Sequence, residues 1–521
     1  MTALSPGRDL LALTRPGELG VVEVAPDGTA DLATTHWIAA GDWHLAGWAA
    51  PHLVALRRRG ELGLLDTGHR MLTSTHPVVG RTLRYDGEEA LLAVVRDGRP
   101  MLCAHRPADG GYRLIEGTEG VRSVATWDRD SLVFTHDRGV TMIRHGERTD
   151  LDAVSAAGDG PVLAVTGAGD VPGVLDLTTG RTRWYEPGSK AVAVSPSGLL
   201  LTLTWADHRY VYRVLDADGH AVGAPVPDHG IATDLVFTAD ERHLLGHHQS
   251  PAAPPALVRW NIHSGRMTPL EGQPREEIAV RWRHRESKQS PEWVYEPEHG
   301  HGGTVLHLHG GPRSQLRQIH EPVIAAFVAA GWTVIGMNYP GSSGYGDEFR
   351  DQVVGDWGGA DVEAVVARLR DLKDDLNGDG PVCLYGQSYG AYLALLAADP
   401  TLVDTVAVWA PVTDVEKLLE SATGLHRQWL GTELGVLAAD REELARRSPI
   451  TRPCTAPRLL IGHSAGDDRV PVEQSRTFVE RHGAMRYVEQ QGNGHEPADM
   501  TAWATAVVAH LGELVRQEVP A

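Results

Sequence analysis

Across the first half of the chain, short apolar strands run into glycine turns that recur at a nearly constant interval. The turn glycines are Gly28, Gly68, Gly110, Gly146, Gly180, Gly219 and Gly265, spaced 34 to 46 residues apart. Typical strands before them are Val21-Val22-Glu23-Val24, Val174-Leu175-Asp176-Leu177 and Leu257-Val258-Arg259-Trp260. No long helical period interrupts the pattern. A repeat of this length fits one four-stranded antiparallel sheet, and such a sheet cannot bury its apolar faces alone. The expectation is a β-propeller of about seven blades over residues 1–274. A pair of β-sandwiches with coincidental turns is the alternative, because the chain holds 58 glycines and no Trp-Asp or kelch-like signature repeats.

With 521 residues, the chain is long enough for two or more domains. Lys+Arg number 48 against Asp+Glu 68, a net charge of −20, which argues against nucleic acid or an anionic membrane as a partner. Three cysteines, Cys103, Cys383 and Cys454, are too few and too scattered for a disulfide framework, and no Cys-x-x-Cys pair suggests zinc. The N-terminus has no basic segment leading into an apolar core, and no apolar run approaches the roughly 20 residues of a spanning helix. These features predict a cytoplasmic protein; a homo-oligomer is compatible with them. The polar, charge-dense stretch from Glu271 to Gly303, including Arg281-Trp282-Arg283-His284-Arg285, suits a junction at 275–303 leading into a second domain. Its basic run reads as a solvated strand face, with a lining for an acidic substrate as the alternative.

From Thr304 the pattern changes. Thr304-Val305-Leu306-His307-Leu308, Trp332 to Met337, Val382 to Tyr385, Thr405 to Trp409 and Arg458 to Ile461 read as buried strands. Helical spacing lies between them, at Glu321 to Ala330 and Asp361 to Leu372. Alternating strands and helices predict a doubly wound, mostly parallel sheet over 304–521, an α/β-hydrolase arrangement. Function in such sheets gathers beyond the carboxyl ends of the strands.

One of those ends is Gly386-Gln387-Ser388-Tyr389-Gly390, between a buried strand and an Ala/Leu-rich helix. Gly-x-Ser-x-Gly at that junction forms a sharp corner that exposes the serine Oγ, so Ser388 is the candidate nucleophile. A neutral hydroxyl needs a base. Two later strand-end loops supply acid and histidine in the order this class uses: Gly462-His463-Ser464-Ala465-Gly466-Asp467-Asp468-Arg469-Val470-Pro471, then Gly492-Asn493-Gly494-His495. His495 is the candidate base, and an Asp of the first loop its orienting acid. The N–H of Tyr389, directly after the nucleophile, is one candidate oxyanion donor.

Together with His309-Gly310-Gly311-Pro312 and Asn338-Tyr339-Pro340-Gly341-Ser342-Ser343-Gly344-Tyr345-Gly346, these loops resemble the prolyl oligopeptidase family, most closely its acylaminoacyl-peptidase branch. The likeness covers roughly 304–515 by motif, and the first half by architecture. It implies a serine peptidase with a propeller stacked on its catalytic face, restricting substrates to short peptides or small acyl compounds. It also implies Asp467 as the acid, Gly311 as the second oxyanion donor and Arg469 as a donor to a substrate carbonyl. A salt bridge from Arg469 to Asp468 or a nearby carboxylate is the competing reading. Pro340, where an Arg is usual, and Ser464, where a Gly is usual, depart from the family pattern.

Other features carry less. His299, His301, His307 and His309 lack a completing carboxylate or Cys, so no metal is expected, and no cofactor. Gly341-x-x-Gly344-x-Gly346 has the wrong spacing for a dinucleotide loop. Cys383 reads as core, Trp357 and Trp429 as packing or pocket wall, and Asp356 and Asp361 as the start of a helix. No paired-carboxylate anchor for a free amino terminus stands out. The same chemistry would serve an ester, a small amide or a peptide-cyclising acyl transfer. A protein-binding propeller beside an inactive hydrolase scaffold is the reading from another class.

Overall fold

The computed structural model describes residues 2–518 except 5–9, 16–17, 40–43, 51–52, 59–60, 67–70, 78–80, 86–88, 97–98, 107–110, 128–130, 137, 159–160, 207–208, 226–229, 271–276, 301–302, 377–379, 484 and 493. The chain forms two compact units. Residues 1–250 and 255–275 make the first, and 251–254 with 276–521 the second. The expected boundary at 274/275 falls outside the described residues.

The first unit is a β-propeller of seven antiparallel sheets in chain order, over 2–39, 44–77, 81–115, 121–151, 155–184, 190–215 and 231–269. Gly28, Gly146, Gly180, Gly219 and Gly265 all turn directly after the third strand of a sheet, each with positive φ. The repeat in the sequence is therefore the repeat of one hairpin, at a backbone conformation glycine adopts without strain. Gly68 and Gly110 lie outside the described residues. Six sheets have four strands. The sixth has three among the described residues, where the chain past Gly219 makes an isolated bridge, Leu215 to Ala221.

Neighbouring sheets bury apolar side chains against each other. Leu91 and Leu102 of the third meet Leu132 and Phe134 of the fourth, and Leu201 and Tyr212 of the sixth meet Phe237 and Trp260 of the seventh. The ring closes when Leu11, Leu13 and Val22 of the first sheet pack on Leu245 and Leu257 of the seventh. Arg259 and Asp27 form an ion pair at 2.7 Å across that seam.

The second unit is built on one eight-stranded sheet. Its strands are β1 (Val280–Glu286), β2 (Pro291–Pro297), β3 (Thr304–Leu308), β4 (Thr333–Met337), β5 (Val382–Gln387), β6 (Thr405–Trp409), β7 (Leu459–Ser464) and β8 (Arg486–Gln490), in the order β1-β2-β4-β3-β5-β6-β7-β8. β1, β2 and β4 pair antiparallel and the rest parallel. β3, β5 and β6 are buried along their length apart from Gln387. One apolar cluster gathers around Leu306, Leu384, Val408 and Leu393 and a second around Val305, Cys383, Ala407 and Trp503, so both faces of the sheet are covered. Among the described residues no helix is long and apolar enough to cross a membrane.

The basic run lies on β1, where residues alternate between half-buried and exposed. Arg285 reaches inward to the fully buried Glu292 of β2 at 2.5 Å, and Arg368 meets the same carboxylate at 2.5 Å from the helix Ala360–Leu376. A buried carboxylate stripped of its main partner keeps its desolvation cost. Arg368→Met is expected to destabilise the hydrolase unit by about 3 kcal/mol, read as a lower urea midpoint, whereas Arg283→Met, at an exposed pair with Glu296, leaves it nearly unchanged.

Candidate active site

β5 ends at Gln387 and the helix Tyr389–Ala397 begins two residues later, so the whole reversal falls on Ser388. Its backbone sits at φ 55°, ψ −117°, a sparsely populated region for a residue with a side chain. The N–H of Ser388 donates to the Trp409 carbonyl of β6 at 2.8 Å and fixes the corner. The flanking glycines are steric necessities. A Cβ on Gly386 would collide with the Gly390 carbonyl, and one on Gly390 with the Leu308 and His309 carbonyls.

The two later loops meet across the sheet end. His495 Nδ1–H donates to Asp467 Oδ2 at 2.7 Å, with the Asp467 side chain wholly buried. The N–H groups of Arg469 and Val470 donate to Asp467 Oδ1 at 2.9 and 3.0 Å. Burial by itself would raise this carboxyl; hydrogen bonds from His463, His495 and Val470 outweigh it and hold it well below the usual carboxylate range. The histidine loop is clamped by its own carbonyls: Trp409 Nε1–H donates to His495 O at 2.9 Å and Ser464 Oγ–H to Glu496 O at 3.0 Å. Ser464, a departure from the family pattern, thus braces the loop that carries His495.

Ser388 and His495 open on one cavity of about 860 Å³, and no hydrogen bond joins Ser388 Oγ to His495. Such bonds often tighten only on substrate. Tyr389 is the first residue of its helix, so its N–H has no intrahelical acceptor. Gly311 lines the same cavity. Its turn is held by the Tyr339 hydroxyl, which donates to His309 O at 2.7 Å. His307 and His309, the pair weighed for metal, are pushed by burial to about 3 and about 4 and stack on Tyr385 and Tyr339.

Arg469 lines the cavity, and among the described residues its guanidinium has no ion pair, with Asp468 or any other carboxylate. Trp357 and Trp429 contribute to the wall. Asp356 caps the helix as expected, accepting from Ala360 N–H at 2.9 Å. Asp361 does more than start it: its buried carboxyl accepts the hydroxyl of Tyr389, the residue after Ser388, at 2.5 Å, and is pushed by burial to about 6.

Three acidic or basic groups escaped the sequence reading. Glu321 and Glu496 both line the cavity, far apart in sequence. Glu321 precedes Pro322 at a helix start yet makes no capping hydrogen bond, and burial with help from the Glu496 charge pushes its carboxyl to about 7. Glu496 is held by Gln387, the residue before the nucleophile. His463, visible only as a motif neighbour, is fully buried against Asp467. Its signal was present in the sequence, four residues before Asp467, but the contact requires the fold.

Residues 320–501 match the model of the prolyl oligopeptidase family. An uncharacterized peptidase, YuxL, of Bacillus subtilis is 28% identical over 200 residues, 35% of this chain and 29% of that protein. Dipeptidyl aminopeptidase BIII of Pseudoxanthomonas mexicana is 26% identical over 205 residues, 37% of this chain and 30% of its own length. The match thus spans less than a third of either relative. Among solved structures, a Mycobacterium tuberculosis puromycin-hydrolyzing peptidase aligns with a TM-score of 0.72 at 18% identity over 98% of this chain and 96% of its own. The Pyrococcus horikoshii acylaminoacyl peptidase aligns at 0.68 and 14% identity, over 98% and 93%. These two likenesses establish a shared fold of propeller and hydrolase. The match to the prolyl oligopeptidase family thus lies within the hydrolase unit, and the architecture of propeller and hydrolase is shared over nearly the whole chain.

Proposed function

We propose that the protein is a serine peptidase cleaving short peptides or N-acylated peptides through an acyl-enzyme. The observation that carries this reading is the 2.7 Å bond from His495 to a buried, ionised Asp467, on the cavity that also holds the strained Ser388. Ser388 Oγ attacks the scissile carbonyl carbon while its proton passes to His495 Nε2. Asp467 keeps the Nδ1–H tautomer and stabilises the imidazolium. The developing oxyanion accepts from the N–H groups of Tyr389 and Gly311. His495 then returns the proton to the leaving amine as the C–N bond breaks, and water repeats the cycle to free the acid. Arg469 holds a substrate carbonyl with charge-assisted donors.

In this reading the propeller over 1–274 selects for small substrates, and neither a metal nor a cofactor takes part. Three free cysteines, two of them buried, support a cytoplasmic setting. Hydrolysis of esters or small amides, or acyl transfer to an amine, would use the same groups, and substrate screening separates them.

Mass spectrometry of short peptides with free and acetylated termini tests the reading. Wild type is expected to cleave, and Ser388→Ala is expected not to. Asp467→Asn should lower kcat about 10⁴-fold. A folded wild-type protein that cleaves no peptide and takes no fluorophosphonate at Ser388 would favour the binding-platform alternative.

Glu321 generates a prediction on specificity. With its carboxyl pushed to about 7, it is neutral in mild acid and charged above neutrality. Between about pH 6 and about pH 7.5, where a peptide α-amino group stays largely protonated, KM for free-terminus peptides should fall relative to acetylated ones. Glu321→Gln should abolish that trend, which paired kinetic profiles will show.

A further inference from the structure

Asp467 is contacted by two histidines, of which the proposed mechanism uses one. His463, at the end of β7, is fully buried, and its Nε2 lies 3.3 Å from Asp467 Oδ2 and 2.9 Å from the Val470 carbonyl. Both neighbours are acceptors, so Nε2 must carry a hydrogen. Its Nδ1 lies 2.7 Å from the hydroxyl of Ser475, buried on the helix Glu473–His482. That hydroxyl can supply the proton Nδ1 lacks, which fixes the Nε2–H tautomer.

We propose that His463, held in its tautomer by Ser475, is a positioning residue that fixes the Asp467 carboxylate and moderates its pull on His495. The inference rests on the assignment of Asp467 as the orienting acid. The geometry is economical. Oδ1 is taken by the N–H groups of Arg469 and Val470, while Oδ2 accepts from His495 and has His463 Nε2 3.3 Å away. The Val470 carbonyl also anchors the imidazole to the loop that carries Asp467, so strand, loop and helix are locked around one carboxylate. The imidazole of His463 beside Oδ2 helps hold this carboxyl below its ordinary range. The other charged group facing His463 is Glu489, paired beside it on β8.

The Nε2–H dipole held beside Oδ2 draws on charge that would otherwise stabilise the His495 proton. Removing it leaves the carboxylate less well fixed but a stronger acceptor. His463→Phe, which fills the space without a donor, should therefore lower kcat by about ten- to a hundredfold with KM little changed. It should also move the acid limb of the kcat/KM profile up by about half a pH unit. His463→Gln, whose amide N–H can reach the Nε2 position, should stay within about threefold of wild type. Ser475→Ala should shift the limb in the same direction as His463→Phe, by less.

The experiment is the pH profile of all three variants beside Asp467→Asn, with thermal melting to confirm folding. A folded His463→Phe with wild-type kcat and profile, beside an inactive Asp467→Asn, overturns the role of His463 alone. An active Asp467→Asn overturns the catalytic assignment beneath it. If His463→Phe does not fold, the other two variants decide: an unshifted Ser475→Ala or a His463→Gln as impaired as Asp467→Asn would sink the proposal.

Discussion

Trp409 ties the candidate catalytic groups together. It closes β6 fully buried, takes the Ser388 N–H on its carbonyl and donates its indole N–H to the His495 carbonyl. One residue, through its backbone carbonyl and its indole, thereby fixes both the corner at Ser388 and the loop that carries His495. The corner needs such support, because a backbone like that of Ser388 costs on the order of 1–3 kcal/mol. The surrounding sheet supplies it: β5 lies between β3 and β6, and the glycines beside Ser388 let the helix meet the ends of β3 and β5 without side chains between them. The parallel sheet provides the counterweight to the strain at Ser388.

The propeller obeys a different economy. Each of its sheets is made of strands consecutive in the chain, and among the described residues none is completed by a strand from the other end. Closure relies on side chains at the seam between the first and seventh sheets, where Leu11, Leu13 and Val22 meet Leu245 and Leu257 and Asp27 meets Arg259. Apolar burial is non-directional, whereas a shared ladder would impose a fixed register. Such a ring tolerates irregular blades, and the sixth sheet, lacking a fourth strand, is one.

Much of this was legible in the sequence because the informative features are local. The hairpin glycines after third strands mark the blades by spacing alone, and Gly386, Ser388 and Gly390 mark the corner because a tight turn dictates its own residues. The order of Ser388, Asp467 and His495 follows from strand ends. What stayed hidden depends on contacts between distant segments. His463 and Ser475 look like ordinary residues of a strand and a helix until the fold packs one on the other. Asp361 reads as a helix start, which it is, and only the packing shows it under the Tyr389 hydroxyl. The short sixth sheet was hidden for the opposite reason: Gly219 keeps the period although, among the described residues, no fourth strand follows it.

Two carboxyl groups near the cavity show how environment, not residue type, sets charge. Asp467 is removed from water yet receives N–H donors on both oxygens, so ionisation is favoured despite the desolvation. Glu321 is also withdrawn from water, has no capping bond to accept and feels the negative charge of Glu496, so it holds its proton to about 7. In the proposed mechanism the first group must stay charged to hold His495 in one tautomer through the cycle. The second lacks protein donors for its charge, and a cation entering the cavity would supply what Asp467 obtains from its own loop. The carboxylate completed by its own loop is the one the proposed mechanism uses, whereas Glu321, left incomplete, lines the cavity where a substrate would meet it.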